Sequence, residues 1–210
     1  MTPRLQSIGN QPCVIVMVKE PRPGQVKTRL GRDIGMVEAA HWYRRHSAAL
    51  VHRLVDERWT LVAGYAPKTA RIIPRNVQLQ AWQGSGDLGQ RMIGLLRQAP
   101  PKSVLIGSDI AGLERQHIAR AIAALGDHDT VLGPSPDGGF WLIGARHPNR
   151  LRPNALTGAR WSTEHALADT RARLPGRTAL VDTLNDIDTV DDLRTSFAMT
   201  PHGTRATSCV

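Results

Sequence analysis

Val104-Leu105-Ile106-Gly107-Ser108-Asp109 is the stretch on which the fold turns. A short apolar run stops at a small pair, and a carboxylate stands where the chain leaves the expected sheet. Ligands of open α/β sheets bind outside the carboxyl ends of the strands. An acid at such an end either holds a hard cation or caps a helix that follows it. Upstream, Cys13-Val14-Ile15-Val16-Met17-Val18 is a continuous apolar run, the pattern of a strand covered on both faces.

The same alternation extends in both directions. After the first strand a Pro/Gly-containing loop runs to about Arg32, and residues 35–57 carry Val37, Ala40, Leu50, Val51 and Leu54 at helical spacing. Strands are expected over 59–66, 77–82, 103–107, 130–133, 140–145 and 179–181. Helices are expected from Asp87 to before Pro100-Pro101, over 113–125 and over 161–174 with Ser162 or Thr163 as N-cap. A last helix runs from Asp188 or Thr189 to Phe197. Strands alternating with helices predict an α/β fold, a mainly parallel sheet with helices on both faces. At Asp137-Gly138-Gly139 two strands follow each other without a helix, which predicts one antiparallel departure. The economical division is an extension over 1–12, one domain over 13–198 and a small, polar tail over 199–210, expected to be disordered.

Composition narrows the class. The 210 residues are 41% hydrophobic and 21% charged, values of a folded domain with a substantial core. No apolar run approaches the ~18 residues of a membrane span. The N-terminal residues lack the apolar stretch of a signal peptide, so the cytoplasm is the expected compartment. Cys13 and Cys209 read as free thiols in a reducing environment, Cys13 buried in the first strand. The formal net charge of +9 suggests phosphate partners, but the basic residues form no stripe and only two Phe and two Tyr are present, so nucleic acid is not expected. Arginine outnumbers lysine 23 to 4, yet Lys19 and Lys27 fall within one nine-residue stretch, which suggests that a compact ammonium is wanted there. The eight His show no ligand spacing, so zinc is not expected.

The candidate site gathers several segments. The loop after the first strand, Lys19 to Arg29, would present Gly24, Lys27, Thr28, Arg29 and Lys19 to phosphate oxygens, the alternative being a solvated basic turn. It is neither a Walker loop nor a Gly-x-Gly-x-x-Gly turn. Asp109, with Asp186 and Asp188 from Asn185-Asp186-Ile187-Asp188, supplies carboxylates for Mg²⁺ or Mn²⁺, Asp186 being slightly preferred because Asp188 could cap the last helix. Asp137 is either part of a plain turn or a general base that orients an acceptor hydroxyl. Asp87 and Arg91, four apart, make a surface ion pair and helix start, or contact base and ribose. Trp161 belongs to the core or to the cleft wall.

Assembled in order, these pieces resemble a bacterial family of nucleotide-diphospho-sugar transferase-like proteins with a GT-A-like fold, some members of which are called arsenosugar-biosynthesis glycosyltransferases. The likeness rests on residues 21–30, on Gly86-Asp87-Leu88-Gly89-Gln90-Arg91-Met92, on Gly107-Ser108-Asp109, on residues 137–144, on Trp161-Ser162-Thr163 and on residues 186–193. It implies that Asp109 is the metal-binding strand-end acid and that Lys27-Thr28-Arg29 contact the nucleotide. The Lys-Thr-Arg-Leu piece is also similar to a loop of guanylyltransferases that build deazaflavin-cofactor precursors. Departures are Ile110-Ala111 where the family has Cys-Pro, Val190 where it has Pro, and Pro136 where it has an acid.

The function these readings imply is metal-dependent transfer from a nucleotide-sugar donor to a small-molecule acceptor. One alternative is nucleotidyl transfer from a nucleoside triphosphate with release of pyrophosphate, and another is a catalytically silent nucleotide-binding regulator.

Overall fold

The computed structural model describes residues 11–198. Those descriptions leave the expectations for 1–10, for the tail 199–210 and for Cys209 outside the described residues.

Seven strands form one sheet: β1 (Cys13–Lys19), β2 (Thr60–Ala66), β3 (Leu79–Trp82), β4 (Ser103–Ile106), β5 (Thr130–Pro134), β6 (Phe140–Ala145) and β7 (Thr178–Leu180), in the order β3-β2-β1-β4-β6-β5-β7. The β1/β2, β1/β4, β2/β3 and β5/β7 pairs are parallel, and β6 is antiparallel to β4 and β5. The departure expected at the double glycine is therefore real. Because β4 and β5 both oppose β6, the β5–β6 turn lies at the sheet edge where β1 and β4 end.

The helices are α1 (Thr28–Ile34), α2 (Met36–Arg53), α3 (Leu88–Leu96), α4 (Arg115–Ala124), α5 (Ala166–Arg173) and α6 (Val190–Ala198). β1 is buried on both faces, as its unbroken apolar run requires. Val14, Val16 and Val18 pack with Leu50 and Val51 of α2, with Leu54 at its C-cap, and with Ile118 and Ala121 of α4. Cys13 and Ile15 pack on the other face with Ile93, Leu95 and Leu96 of α3. Each fully buried valine, leucine or isoleucine among them contributes about 1.5–3 kcal/mol of transfer free energy. Burial also pushes the Cys13 thiol up to about 12, so it is an inert core thiol.

Several boundaries differ from the sequence reading. The loop expected to reach Arg32 ends at Lys27, because Leu30 and Gly31 bury against the fold as the helix α1. Residues 161–165 are turns and the helix starts only at Ala166, with His165 rather than Ser162 or Thr163 at its N-cap. No helix follows Asp109 directly, since α4 begins at Arg115, so Asp109 caps nothing. Asp87 does start α3, in a capping box with Gln90. It makes no ion pair with Arg91: its carboxylate accepts from the Gln90 N–H at 2.8 Å, and Arg91 turns elsewhere.

Candidate active site at the carboxyl edge of the sheet

A cleft of about 890 Å³ opens at the carboxyl edge. Several chain segments build it, and those that carry the charged centre have a local reason for their place.

Asp109 and its partners meet through backbone pairing. Residues 185–187 run back along the segment after β4: Ile110 and Asp186 form an antiparallel bridge. The Ala111 N–H donates to the Asn185 carbonyl at 2.8 Å, and the Ile187 N–H donates to the Asp109 carbonyl at 3.0 Å. Buried Ile110 and Ile187 anchor the two strands of this contact. Carboxylates 77 residues apart in sequence are thereby brought to one place.

Lys27 arrives from the opposite side. It precedes α1 in the left-handed conformation (φ 47°, ψ 49°), which is unfavourable for a residue with a Cβ and marks a site where the fold holds it. Its side chain is buried, and Nζ lies 2.5 Å from Asp109 Oδ2 and 2.6 Å from Asp188 Oδ1. Burial disfavours this ammonium, but the charges and hydrogen bonds of Asp109 and Asp188 outweigh it and raise its pKa above the ordinary value. Arg29, largely exposed, reaches Asp188 Oδ2 at 3.2 Å.

Asp186 is the unbalanced member. Burial, then the charges of Asp188 and Asp109, push its carboxyl up to about 6. No cationic side chain pairs with it among the described residues. Asp109 and Asp188 share the Lys27 ammonium and Asp188 also meets Arg29, so Asp186 is the acid left without a cation, and hard oxygen donors are what Mg²⁺ or Mn²⁺ takes. Among the described residues no three His, Cys, Asp or Glu side chains form a ready cage. The Lys27 ammonium bridges Asp109 and Asp188. A cation here would have one or two carboxylates at most, with phosphate and water completing its shell, as Mg²⁺ often does.

Two supports escaped the sequence reading. Tyr43 of α2 accepts the Lys19 backbone N–H at 3.0 Å and shares a hydrogen bond of 2.7 Å with Ser108, tying the first loop to the residue before Asp109. Gln83, buried at the end of β3, donates to the carbonyls of Val18 at 3.0 Å and Gly64 at 2.8 Å. Its own carbonyl accepts Arg91 Nη1 at 3.0 Å, which aims the guanidinium at the cleft. A polar residue ending a strand beside a Gly-Ser-Gly turn was the available signal for Gln83; a helical Tyr gives none.

Of the other expected residues, Lys19, Thr28, Arg29, Arg91 and Asp137 line the cleft, Asp137 on its far wall. Gly24 and Asp87 do not: Gly24 serves a turn at φ 73°, and Asp87 is spent on the helix start. Trp161 lies in the cleft wall.

The sheet, its one reversed strand and the cleft define a protein of GT-A-like, nucleotide-diphospho-sugar transferase-like fold. The chain belongs to the bacterial family DUF2064, described as uncharacterized protein conserved in bacteria, whose model matches residues 53–163. It is similar to the crystal structure of a "putative nucleotide-diphospho-sugar transferase" from Desulfovibrio desulfuricans G20, with 30% identity and a TM-score of 0.78 over 88% of this chain and 85% of that one. It also matches Rv0371c of Mycobacterium tuberculosis H37Rv, with 14% identity and a TM-score of 0.51 over 90% of this chain and 98% of that one, a likeness of fold alone. No curated protein matches the chain. Among the described residues no helix is long and apolar enough to cross a membrane.

Proposed function

We propose that the protein is a transferase that uses a nucleotide-diphospho-sugar donor with Mg²⁺ or Mn²⁺. The observation that carries this reading is the meeting of Asp109, Asp186, Asp188 and Lys27 at the mouth of a large cleft. The description of the Desulfovibrio relative supports the same class. Asp109 with Asp186 or Asp188 would hold the cation, which when bound supplies positive charge to the donor diphosphate.

The chain's own groups do the rest. Lys27 and Arg29 stabilise the charge that grows on the departing diphosphate. Arg91, fixed by Gln83, and Lys19 hold the nucleotide portion. An acceptor hydroxyl oxygen bonds to the anomeric carbon of the sugar while the bond from that carbon to the β-phosphate oxygen breaks. The electron pair leaves on the nucleoside diphosphate, and the hydroxyl proton passes to a base. Asp137 is our assignment for that base: its Oδ1 accepts the Gly139 N–H at 2.9 Å, and Oδ2 has no protein partner among the described residues.

The test is a melting-point screen of nucleotides and nucleotide sugars with and without Mg²⁺, followed by product analysis of whichever donor binds. The expected products are free nucleoside diphosphate and a glycosylated acceptor. Release of pyrophosphate from a triphosphate would instead make the protein a nucleotidyltransferase. Ligand binding without turnover by the native chain, or turnover that survives in a folded Asp109→Ala variant, would overturn the catalytic assignment.

A further inference from the structure

The two walls of the cleft differ in charge. Its four lysines and arginines, Lys19, Lys27, Arg29 and Arg91, all lie on one side, where Lys27 and Arg29 offset Asp109 and Asp188, and Lys19 and Arg91 make no ion pair among the described residues. The opposite wall consists of the β5–β6 turn and residues 161–166, and the charged residues in its lining are the acids Asp137 and Glu164, the latter largely exposed to solvent. In a chain with 27 Lys and Arg against 18 Asp and Glu, a wall without a lysine or arginine is a selective feature. The neighbouring Arg160 is already committed, its Nε lying 2.9 Å from Asp169 Oδ2. His165 Nε2 lies 3.7 Å from Glu164 Oε1, beside the wall.

We infer that this wall receives the acceptor, and that the acceptor is a neutral or amine-bearing polyhydroxy compound rather than a phosphorylated one. The inference rests on the donor reading above and adds the acceptor's chemical class to it. Trp161 and Phe140 meet edge to face, with ring centroids 6.3 Å apart, and together give the wall an aromatic floor. The C–H face of a sugar ring packs well on such a surface, while its hydroxyls find Asp137, Ser162 and Thr163 at the rim. A phosphate dianion placed there would face two carboxylates with no lysine or arginine to offset them.

The wall is also built to keep its shape. A Cβ on Gly138 would lie 2.2 Å from the Glu164 carbonyl oxygen, and one on Gly89 would lie 2.6 Å from the Trp161 ring. The turn, the 161–166 segment and α3 are thus in direct contact, and the Leu167 N–H donates to the Gly138 carbonyl at 2.9 Å.

Three probes of one shape and different charge test the inference: glucose, glucosamine and glucose 6-phosphate. Each is titrated at neutral pH into the whole chain, with Mg²⁺ and the nucleoside diphosphate that most raises the melting point. Glucose and glucosamine should bind more tightly than glucose 6-phosphate. Trp161→Ala should weaken both by about fivefold, the size of one aromatic contact, while Trp161→Phe retains most of the binding. Glu164→Lys, at an exposed position, should shift the preference towards glucose 6-phosphate. Tightest binding of glucose 6-phosphate to the native chain, or sugar binding that is absent or indifferent to Trp161→Ala, overturns the inference. Failure of every nucleotide to bind is a separate result that removes the donor reading. The same sugars titrated alone, scored by their dependence on Trp161, then still decide the character of the wall.

Discussion

Lys27 and Asp186 divide the electrostatics of the centre between them. Lys27 neutralises Asp109 and Asp188 from a backbone conformation that only the surrounding fold sustains. Replacing it with methionine leaves those two carboxylates facing each other across an apolar side chain. They keep 27% and 35% exposure, so water offsets part of the penalty, and the expected loss is about 1–3 kcal/mol. Chemical denaturation of Lys27→Met in chelator measures it, and added Mg²⁺ should recover more stability in the variant than in the native chain. Asp186 behaves in the opposite sense. Its carboxyl is raised to about 6 when folded, against the ordinary 3.8 of an aspartate, so between those values the folded chain holds a proton that the unfolded chain has released. Stability from this residue is therefore present below the window and lost as pH rises through it. Asp186→Asn, which cannot ionise, should melt higher than the native chain in chelator above about pH 7 and lose that advantage near pH 4. An advantage that is the same at both pH values would contradict the assigned burial and charge effects.

At the scale of elements, strand ends are joined by side chains and bridges rather than by the strands alone. Gln83 closes the β3 end onto β1 and β2 and aims α3's Arg91 at the cleft. Gln83→Leu removes two donors from buried carbonyls and one acceptor from a guanidinium. The expected outcome is about 1–3 kcal/mol of lost stability and a weaker nucleotide affinity, read by denaturation and by calorimetry. Arg91→Ala should weaken nucleotide binding comparably with little change in stability, which separates the two roles. Gly138 makes a different kind of junction, at φ +82° against the Glu164 backbone. Gly138→Ala should cost about 2–4 kcal/mol through backbone strain and overpacking, and its melting point checks this.

For the whole molecule, a formal charge of +9 creates a field that favours anionic ligands at a distance. Donor association should slow as salt is raised past about 0.1 M, where screening acts within ~10 Å, while the chemical step changes less. Rapid-mixing kinetics over a salt series measures the difference. The scale at which residues interact also decides how much the sequence could reveal. The parallel core was legible because β1's run Cys13 to Val18 needs two covering layers, and Asp137-Gly138-Gly139 betrayed the reversed strand. The strand-end acids were legible from their positions. Their bridging by Lys27 was not, because a left-handed residue with a Cβ leaves no composition signal. Tyr43, Gln83 and the 161–165 turns were hidden for a related reason: their roles lie in contacts between distant segments, and periodicity records only near neighbours.

The bridge between Ile110 and Asp186 has a bearing on synthesis. A nascent chain carries the Lys19–Arg29 bend well before it carries Asp186 and Asp188, and it lacks two of the three acids until position 188 has cleared the exit tunnel. Any ligand that needs all three acids can therefore stabilise the fold only after Asp188 has emerged.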